Sequence, residues 1–316
     1  MMAAVVNVLG QPPQYQQFPD PIPVEGEVMV QVRAAGLHPV VKARASGAHY
    51  SSEGEVPAVP GIDGVGTLAD GQRVYFGGVR NPWGTMAEIA MAPRGMYIPL
   101  PAGIEDAQAA AVANPGMSAW VSMKNRAEVA AGETVLILGA TGVAGQLALQ
   151  IARILGAKRV IGVGRNVEAI ADAGADAVIA LGEPEDAVRA AFAAEAAGGI
   201  DVVIDYLWGR PTELLLDALA KGFRPTSTHR TRLVEVGASA GRTITLPGEI
   251  LRSVDLTLKG SGFGAASIED ILAALPAIFD LVAAGALKIA VEPVPLAEVE
   301  SAWNRTEKGR RIVFTL

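Results

Sequence analysis

Residues 135–152 read VLILGATGVAGQLALQIA, and this stretch decides the fold of the chain. An apolar run, Thr134–Leu138, ends at Gly139. Gly142 and Gly145 follow at intervals of three, where an amphipathic segment, Val143–Leu155, begins. Small residues at such a junction let a backbone approach a pyrophosphate, and a helix N-terminus offers unpaired N–H groups with positive dipole potential. The spacing is G-x-x-G-x-x-G rather than G-x-G-x-x-G, so its weight comes from context: a strand before, a helix after, and a second strand starting 14 residues beyond Gly145. Close helix–strand packing alone would also use these glycines. A Walker A loop is excluded, because no Gly-Lys-Ser or Gly-Lys-Thr follows. The nucleotide-binding turn is assigned to Gly139, Ala140, Thr141, Gly142, Val143 and Ala144.

Working downstream, Arg159–Val163, Ala177–Leu181, Asp201–Tyr206, Leu233–Val236 and Leu256–Leu258 read as strands. Helical patterns at Val167–Ala173, Glu185–Ala197 and Thr212–Ala220 separate the earlier ones. Strands alternating with helices, and apolar on both faces, predict an α/β domain with a doubly wound parallel sheet. The end of the second strand chooses between two nucleotides. Dinucleotide sites that take NAD place an acid about 20 residues beyond the glycine turn, on the ribose 2′-hydroxyl. Here that place holds Gly164-Arg165-Asn166, with no acid. A guanidinium pairs bidentately with a phosphate, so Arg165 favours NADPH over NADH; an exposed loop arginine is the alternative. Tyr206, Leu207 and Trp208 end one later strand and Gly237-Ala238 the next. Strand ends of this kind face the ligand crevice.

Upstream, residues 1–104 are rich in proline and glycine and read as a β domain. Val28, Val30 and Val32 alternate in Glu27–Ala35, a half-buried strand, and Gly64–Leu68, Gln72–Phe76 and Met86–Met91 are further candidates. After Gly264 come a helix (Ser267–Ala284), a short extended piece, a helix near Leu296–Asn304 and a last strand, Arg311–Leu316. That strand suits the β domain, which would then be discontinuous. The predicted boundaries are 1–116 and 265–316 for the β domain and 117–264 for the α/β domain.

The whole chain has 316 residues, a size for two domains of about 150 residues. Half its residues are hydrophobic, which excludes disorder. There is no cysteine, and therefore no disulfide, no thiolate nucleophile and no thiolate-held zinc. A net charge of -7 argues against general nucleic-acid or anionic-membrane binding. Neither Thr134–Ala152 nor Ala107–Met123 reads as a membrane span, and no secretory leader is visible, so the expectation is a soluble cytoplasmic protein. The cluster Arg224, His229, Arg230 and Arg232 lacks interleaved aromatics and is assigned no function.

Several segments together resemble the medium-chain dehydrogenase/reductase superfamily, in its zinc-independent quinone oxidoreductase branch. They are AAGLHPVVKARASG (34–47), VPGIDGVG (59–66), DGQRVYF (70–76), WGTMAEIAMAP (83–93), AVANPGMSAW (111–120), VLILGATGVAGQLALQIARILGA (135–157) and GRRIVFTL (309–316). The resemblance covers nearly the whole chain. It implies a GroES-like catalytic domain made from both chain ends, a Rossmann domain binding NADPH, a small quinone or enone as substrate, and a homodimer joined through Asp255–Lys259. Short-chain dehydrogenases are excluded, because none of Tyr15, Tyr50, Tyr75, Tyr97 and Tyr206 has a lysine four residues later. In the zinc-dependent members of the superfamily three positions supply ligands, and these fall here on His38, Ile62 and Asn114. One possible ligand of three leaves no catalytic zinc site, so no metal is expected.

The resemblance also supplies site candidates. His38 stands where the quinone oxidoreductases usually carry asparagine; it could protonate an enolate or serve as a polar packing residue. Tyr50 resembles the proton-donor tyrosine of related enoyl reductases, in a loop one residue longer. Asn114 resembles a nicotinamide-side asparagine, or caps a helix that Pro115 starts. Gly237, Ala238, Gly262 and Phe263 match nicotinamide-side loops, and Arg305 matches a cofactor-contacting arginine or is a surface one. Lys42 and Arg44 are out of register and have no role. A tyrosine that often helps hold the 2′-phosphate is Leu181 here, and Trp208 replaces a smaller residue. Three readings stay open: an NADPH-dependent quinone or enone reductase, an aldehyde or ketone reductase, and a non-catalytic NADPH-binding sensor.

Overall fold

The computed structural model describes residues 1–52, 54–221, 229–306 and 309–316. The chain divides into two compact units, Met1–Asn114 with Leu275–Leu316, and Pro115–Ala274.

In the first unit, β1 (Met2–Val5) and β2 (Gln14–Gln17) form an antiparallel pair. The long strand β3 (Glu27–Gly36) buries Val30 and Val32 and exposes Met29, Gln31 and Arg33, as the period-two pattern requires. Helix α1 (Pro39–Ala45) follows, with His38 at its N-cap and Pro39 in its first turn. Then come β4 (Asp63–Thr67), β5 (Arg73–Gly77), β6 (Ile89–Pro93) and β7 (Tyr97–Pro99). The strand expected at Met86–Met91 thus lies three residues later, because the buried Met86 and Ala87 belong to the turn that packs under β1.

Helix α2 (Asp106–Val121) contains Pro115 in its interior and runs on as a π-helical turn, Ser122–Ala127. The expectation that Pro115 starts a helix is therefore wrong. The missing proline N–H leaves one carbonyl without its helical partner, and the rest of the ladder carries the helix through. Asn114 is accordingly a mid-helix residue, not a cap.

The second unit holds β8 (Thr134–Leu138), α3 (Val143–Ile154), β9 (Arg159–Gly164), α4 (Val167–Asp172), β10 (Ala177–Ala180) and α5 (Glu185–Gly198). It continues with β11 (Val202–Asp205), α6 (Gly209–Lys221), β12 (Arg230–Glu235), α7 (Ile250–Ser253), β13 (Asp255–Gly260) and the start of α8 (Ile268–Ala283). Six strands pair in parallel in the order β10-β9-β8-β11-β12-β13. Counted from β8, this is the doubly wound order 3-2-1-4-5-6, with its switch point between β8 and β11. Leu136, Leu138, Ile161, Val163, Val203 and Leu233 form its buried core with Phe192, Leu215 and Leu216 from the helices.

The chain then returns to the first unit with β14 (Val291–Pro295), a short 3-10 turn (Leu296–Glu298), α9 (Val299–Ala302) and β15 (Arg311–Thr315). The single helix expected near Leu296–Asn304 is thus two short pieces. β15 pairs antiparallel with β3, and β14 closes the edge of a seven-stranded sheet. Phe314, Ile312 and Trp303 join Ala4, Leu37 and Val41 in one core, which explains why the last strand belongs with the first.

Candidate functional site

The carboxyl ends of β8, β9, β11 and β12 lie in one unit and carry most of the predicted nucleotide residues. Helix α3 begins at Gly142, whose backbone is extended (φ -74°, ψ 163°); no side chain caps it, and no acid stands in its first turn. Its leading N–H groups are therefore left for an anion. The three glycines are used differently. A methyl group at Gly142 would meet only the Gly139 carbonyl, at 3.7 Å, so it faces open space. At Gly145 it would lie 2.2 Å from that carbonyl and 2.6 Å from Ala140 Cα, which is the close helix–turn contact. Gly139 itself takes φ +91°, which L side chains rarely adopt.

At the end of β9, a Cβ on Gly164 would run into Thr141 Oγ1 at 2.3 Å. Thr141 Oγ1 accepts the Asn166 amide at 3.2 Å, and Asn166 Oδ1 accepts the Ala169 amide at 3.1 Å, capping α4. Arg165 between them is exposed and makes no hydrogen bond or ion pair among the described residues. A cradle open at Gly142, an uncapped helix end and an unpaired guanidinium fit a phosphorylated dinucleotide.

Tyr206 begins the turn after β11. Its hydroxyl is buried and pushed well above the phenol range by that burial. What it offers to the turn is its backbone carbonyl, which accepts the Ser239 amide and hydroxyl. Gly237 donates its amide to the Asp205 carbonyl. Phe263 is partly exposed, in the bend after β13.

The first unit holds a second constellation. His38 is completely buried, with Nε2 3.3 Å from Asp63 Oδ1. Tyr75 donates its hydroxyl to Asp63 Oδ2 at 3.0 Å, and Thr85 donates to the Asp63 backbone carbonyl at 2.6 Å. Burial, with Asp63 beside it, pushes the Tyr75 hydroxyl well above its ordinary range, so it stays a donor. Gly36 makes room for the ring, since a Cβ there would stand 2.4 Å from His38 Nε2. Tyr50, by contrast, is 73% exposed and stacks on His49 at 4.2 Å between ring centroids. Asn114 is half-buried in α2.

Known proteins resemble this arrangement along the whole chain. A family model described as zinc-binding dehydrogenase matches residues 143–280. A probable NADPH-dependent quinone reductase from Emericella nidulans is 28% identical, over 99% of each chain. The quinone oxidoreductase of Sus scrofa is 35% identical over 148 residues, 44% of each chain. A quinone oxidoreductase from Thermus thermophilus, solved also in complex with NADPH, superposes with a TM-score of 0.81 at 28% identity, covering 100% of both chains. These matches support the medium-chain dehydrogenase/reductase superfamily, in its quinone oxidoreductase-like branch.

Of the positions that hold catalytic zinc in other members of the superfamily, none falls in the segment 143–280 that matches the zinc-binding family model. Ile62 has no ligand atom, and the ring of His38 is turned toward a carboxylate. Arg305 donates to Glu292 Oε1 at 3.1 Å, an exposed pair within its own unit. In the basic cluster, Arg232 pairs with Glu133 and Arg230 donates to Thr257, while Arg224 lies outside the described residues. Sequence reasoning missed Asp63 and Asp205, the two buried carboxylates that organise these sites. Asp63 had a signal: antiparallel pairing of β3 with β4 brings residues just past Gly36 opposite the start of β4.

Proposed function

We propose that the protein is an NADPH-dependent, metal-free reductase of a quinone or an α,β-unsaturated carbonyl. The observation that carries the cofactor part is the uncapped α3 terminus beside an open Gly142 and the unpaired Arg165. The α3 amides would take the pyrophosphate and Arg165 the 2′-phosphate. The chemistry that the nicotinamide supplies when bound is hydride donation to an electrophilic carbon. The substrate then needs a proton on the oxygen or carbanion left behind. Conjugated carbonyls suit a site without Lewis-acid help, because they delocalise that charge themselves. The candidate donors are His38, which has Asp63 beside it, and Tyr50, which is open to solvent. Gly237, Ala238, Gly262, Phe263 and Asn114 remain proposed nicotinamide-side residues, and Arg305 a proposed cofactor contact.

The test is a panel of quinones, enones and aldehydes followed by NADPH absorbance. Turnover of quinones or enones is expected. Turnover of aldehydes alone would replace this reading by the carbonyl reductase one, and tight NADPH binding without any turnover would make the protein a sensor. His38→Ala and Tyr50→Phe assign the donor; full activity in both removes both candidates.

The proposal extends to a cytoplasmic homodimer. No helix among the described residues is long and apolar enough to cross a membrane. β13 is the edge of the parallel sheet, half-open along its length, and Leu258 on it and Phe263 beyond it are exposed. Pairing of this edge with a second copy would cover it. A monomer mass by light scattering would refute the dimer.

A further inference from the structure

Two turns flank the switch point of the parallel sheet: the glycine turn after β8 and the turn 206–209 after β11. The second contains an unusual backbone. Trp208 sits at φ +53°, a left-handed conformation that bulky L side chains rarely adopt. Asp205 holds it there. Its Oδ1 accepts the amides of both Leu207 and Trp208 at 2.8 Å. Its Oδ2 accepts the Thr212 hydroxyl at 2.5 Å, from the first turn of α6. Asp205 and Thr212 are both completely buried. The clamp continues into the nucleotide site, because a Cβ on Gly139 would lie 3.2 Å from both Tyr206 Cβ and Leu207 Cδ2. On the other side, Ser239 and Ala240 donate their amides to the Tyr206 and Leu207 carbonyls. The turn is thus a wedge between the glycine turn and the loop after β12.

We infer that Asp205 is a positioning residue for the dinucleotide. By fixing Trp208 in the left-handed state it seats Tyr206 and Leu207 against Gly139, and so fixes the glycine turn that leads into the α3 terminus. This inference rests on the proposed NADPH reading. It requires that the turn relax when the carboxylate is lost, and that a residue free to take positive φ make the carboxylate dispensable.

The experiment is a fluorescence titration with NADPH of wild type, Asp205→Asn, Asp205→Ala, Trp208→Gly and the double variant D205A/W208G. Amide hydrogen exchange of the peptide spanning 205–210 is measured on the same proteins without nucleotide. Asp205→Asn keeps the Oδ1 acceptor and should bind within about threefold of wild type. Asp205→Ala should weaken binding by about tenfold or more, the size of a lost left-handed preference, and speed exchange of the Leu207 and Trp208 amides. D205A/W208G should recover to within about threefold of Trp208→Gly, a rescue that a merely structural role for a buried carboxylate would not produce. If D205A does not fold, Asp205→Val, which fills the space but accepts no hydrogen bond, makes the same comparison, alone and with Trp208→Gly. A folded D205A with wild-type affinity, or a double variant as weak as D205A, overturns the inference. Wild type that binds no NADPH sinks the functional reading instead, and unchanged exchange in D205A would then still overturn the clamp.

Discussion

Replacing Arg165 with alanine isolates a single contribution to nucleotide choice. The side chain is exposed and has no partner among the described residues, so its loss breaks no bond within the protein. The loop keeps its shape through Thr141 and Asn166, whose hydrogen bonds do not involve the arginine. Stability should therefore move by no more than about 0.5 kcal/mol. A hydrogen bond to a charged group contributes about 1.5–3 kcal/mol, and about 1.4 kcal/mol is tenfold in affinity. The loss in NADPH affinity is then about 10- to 150-fold, and solvent screening places it toward the lower end. NADH, which has no 2′-phosphate, should be unaffected. The assay is a fluorescence titration of both nucleotides against both proteins, at low and at physiological salt. The ratio of the two affinities should fall in the variant, and the effect should grow as salt is lowered. Equal affinity of wild type for NADPH and NADH, or an equal loss of both in Arg165→Ala, would refute the reasoning.

Other substitutions separate packing from binding. Gly145→Ala forces a methyl against the Gly139 carbonyl and should cost about 1–3 kcal/mol, seen as a lower Tm. Gly142→Ala meets only open space and should leave Tm unchanged while obstructing the approach of a phosphate, so NADPH binding is lost without unfolding. If both variants melt early and both bind, the division of labour among the glycines is wrong. Asp106 tests an electrostatic element of the first unit, where Arg33 and Arg73 both donate to it. Burial pushes its carboxyl up, but the two guanidinium groups outweigh that and hold it below its ordinary 3.8. A lowered pKa means that the fold prefers the ionised form, so the stabilisation is complete above 3.8 and is lost as pH falls through the folded value. The Tm gap between wild type and Asp106→Asn should accordingly be open at neutral pH and close in strong acid; a gap constant with pH contradicts this.

The parallel sheet was legible because its signals are local. Thr134–Leu138 and Val143 onward carry different periods on either side of a glycine turn, and the predicted strand and the start of α3 fall where the structure has them. The return of the last strand was legible because Ile312, Val313 and Phe314 form a short apolar run that lies beyond the alternating strand–helix pattern of the parallel sheet. Pro115 was misread because helix interiors disfavour proline on average, whereas here the turns around it are filled by buried alanines and valine that pack well enough to offset one lost bond. Trp208 was hidden for a related reason. Sequence priors give positive φ to glycine, and the neighbouring Gly209, at φ +64°, drew no attention to the tryptophan before it. The signal was Asp205, whose side chain reaches amides two and three residues on, as in an Asx turn.

The sequence departures from the zinc-dependent pattern acquire a chemical sense when His38, Asp63 and Tyr75 are taken together. Ile62 fills its place with hydrocarbon, and the Asp63 carboxylate after it stands 3.3 Å from the His38 ring, although Asp63 Oδ1 and both ring nitrogens lack a hydrogen-bond partner among the described residues. Tyr75 occupies the other carboxylate oxygen, so Asp63 can neither drift to solvent nor present both oxygens elsewhere. Gly36 leaves the space that this imidazole needs, and an alanine there would displace it. The Nε2 side of the His38 ring thus faces the Asp63 carboxylate at 3.3 Å. Under the proposed function, His38 is the one residue at those positions proposed as a proton donor, in the place where relatives of another branch use a Lewis acid.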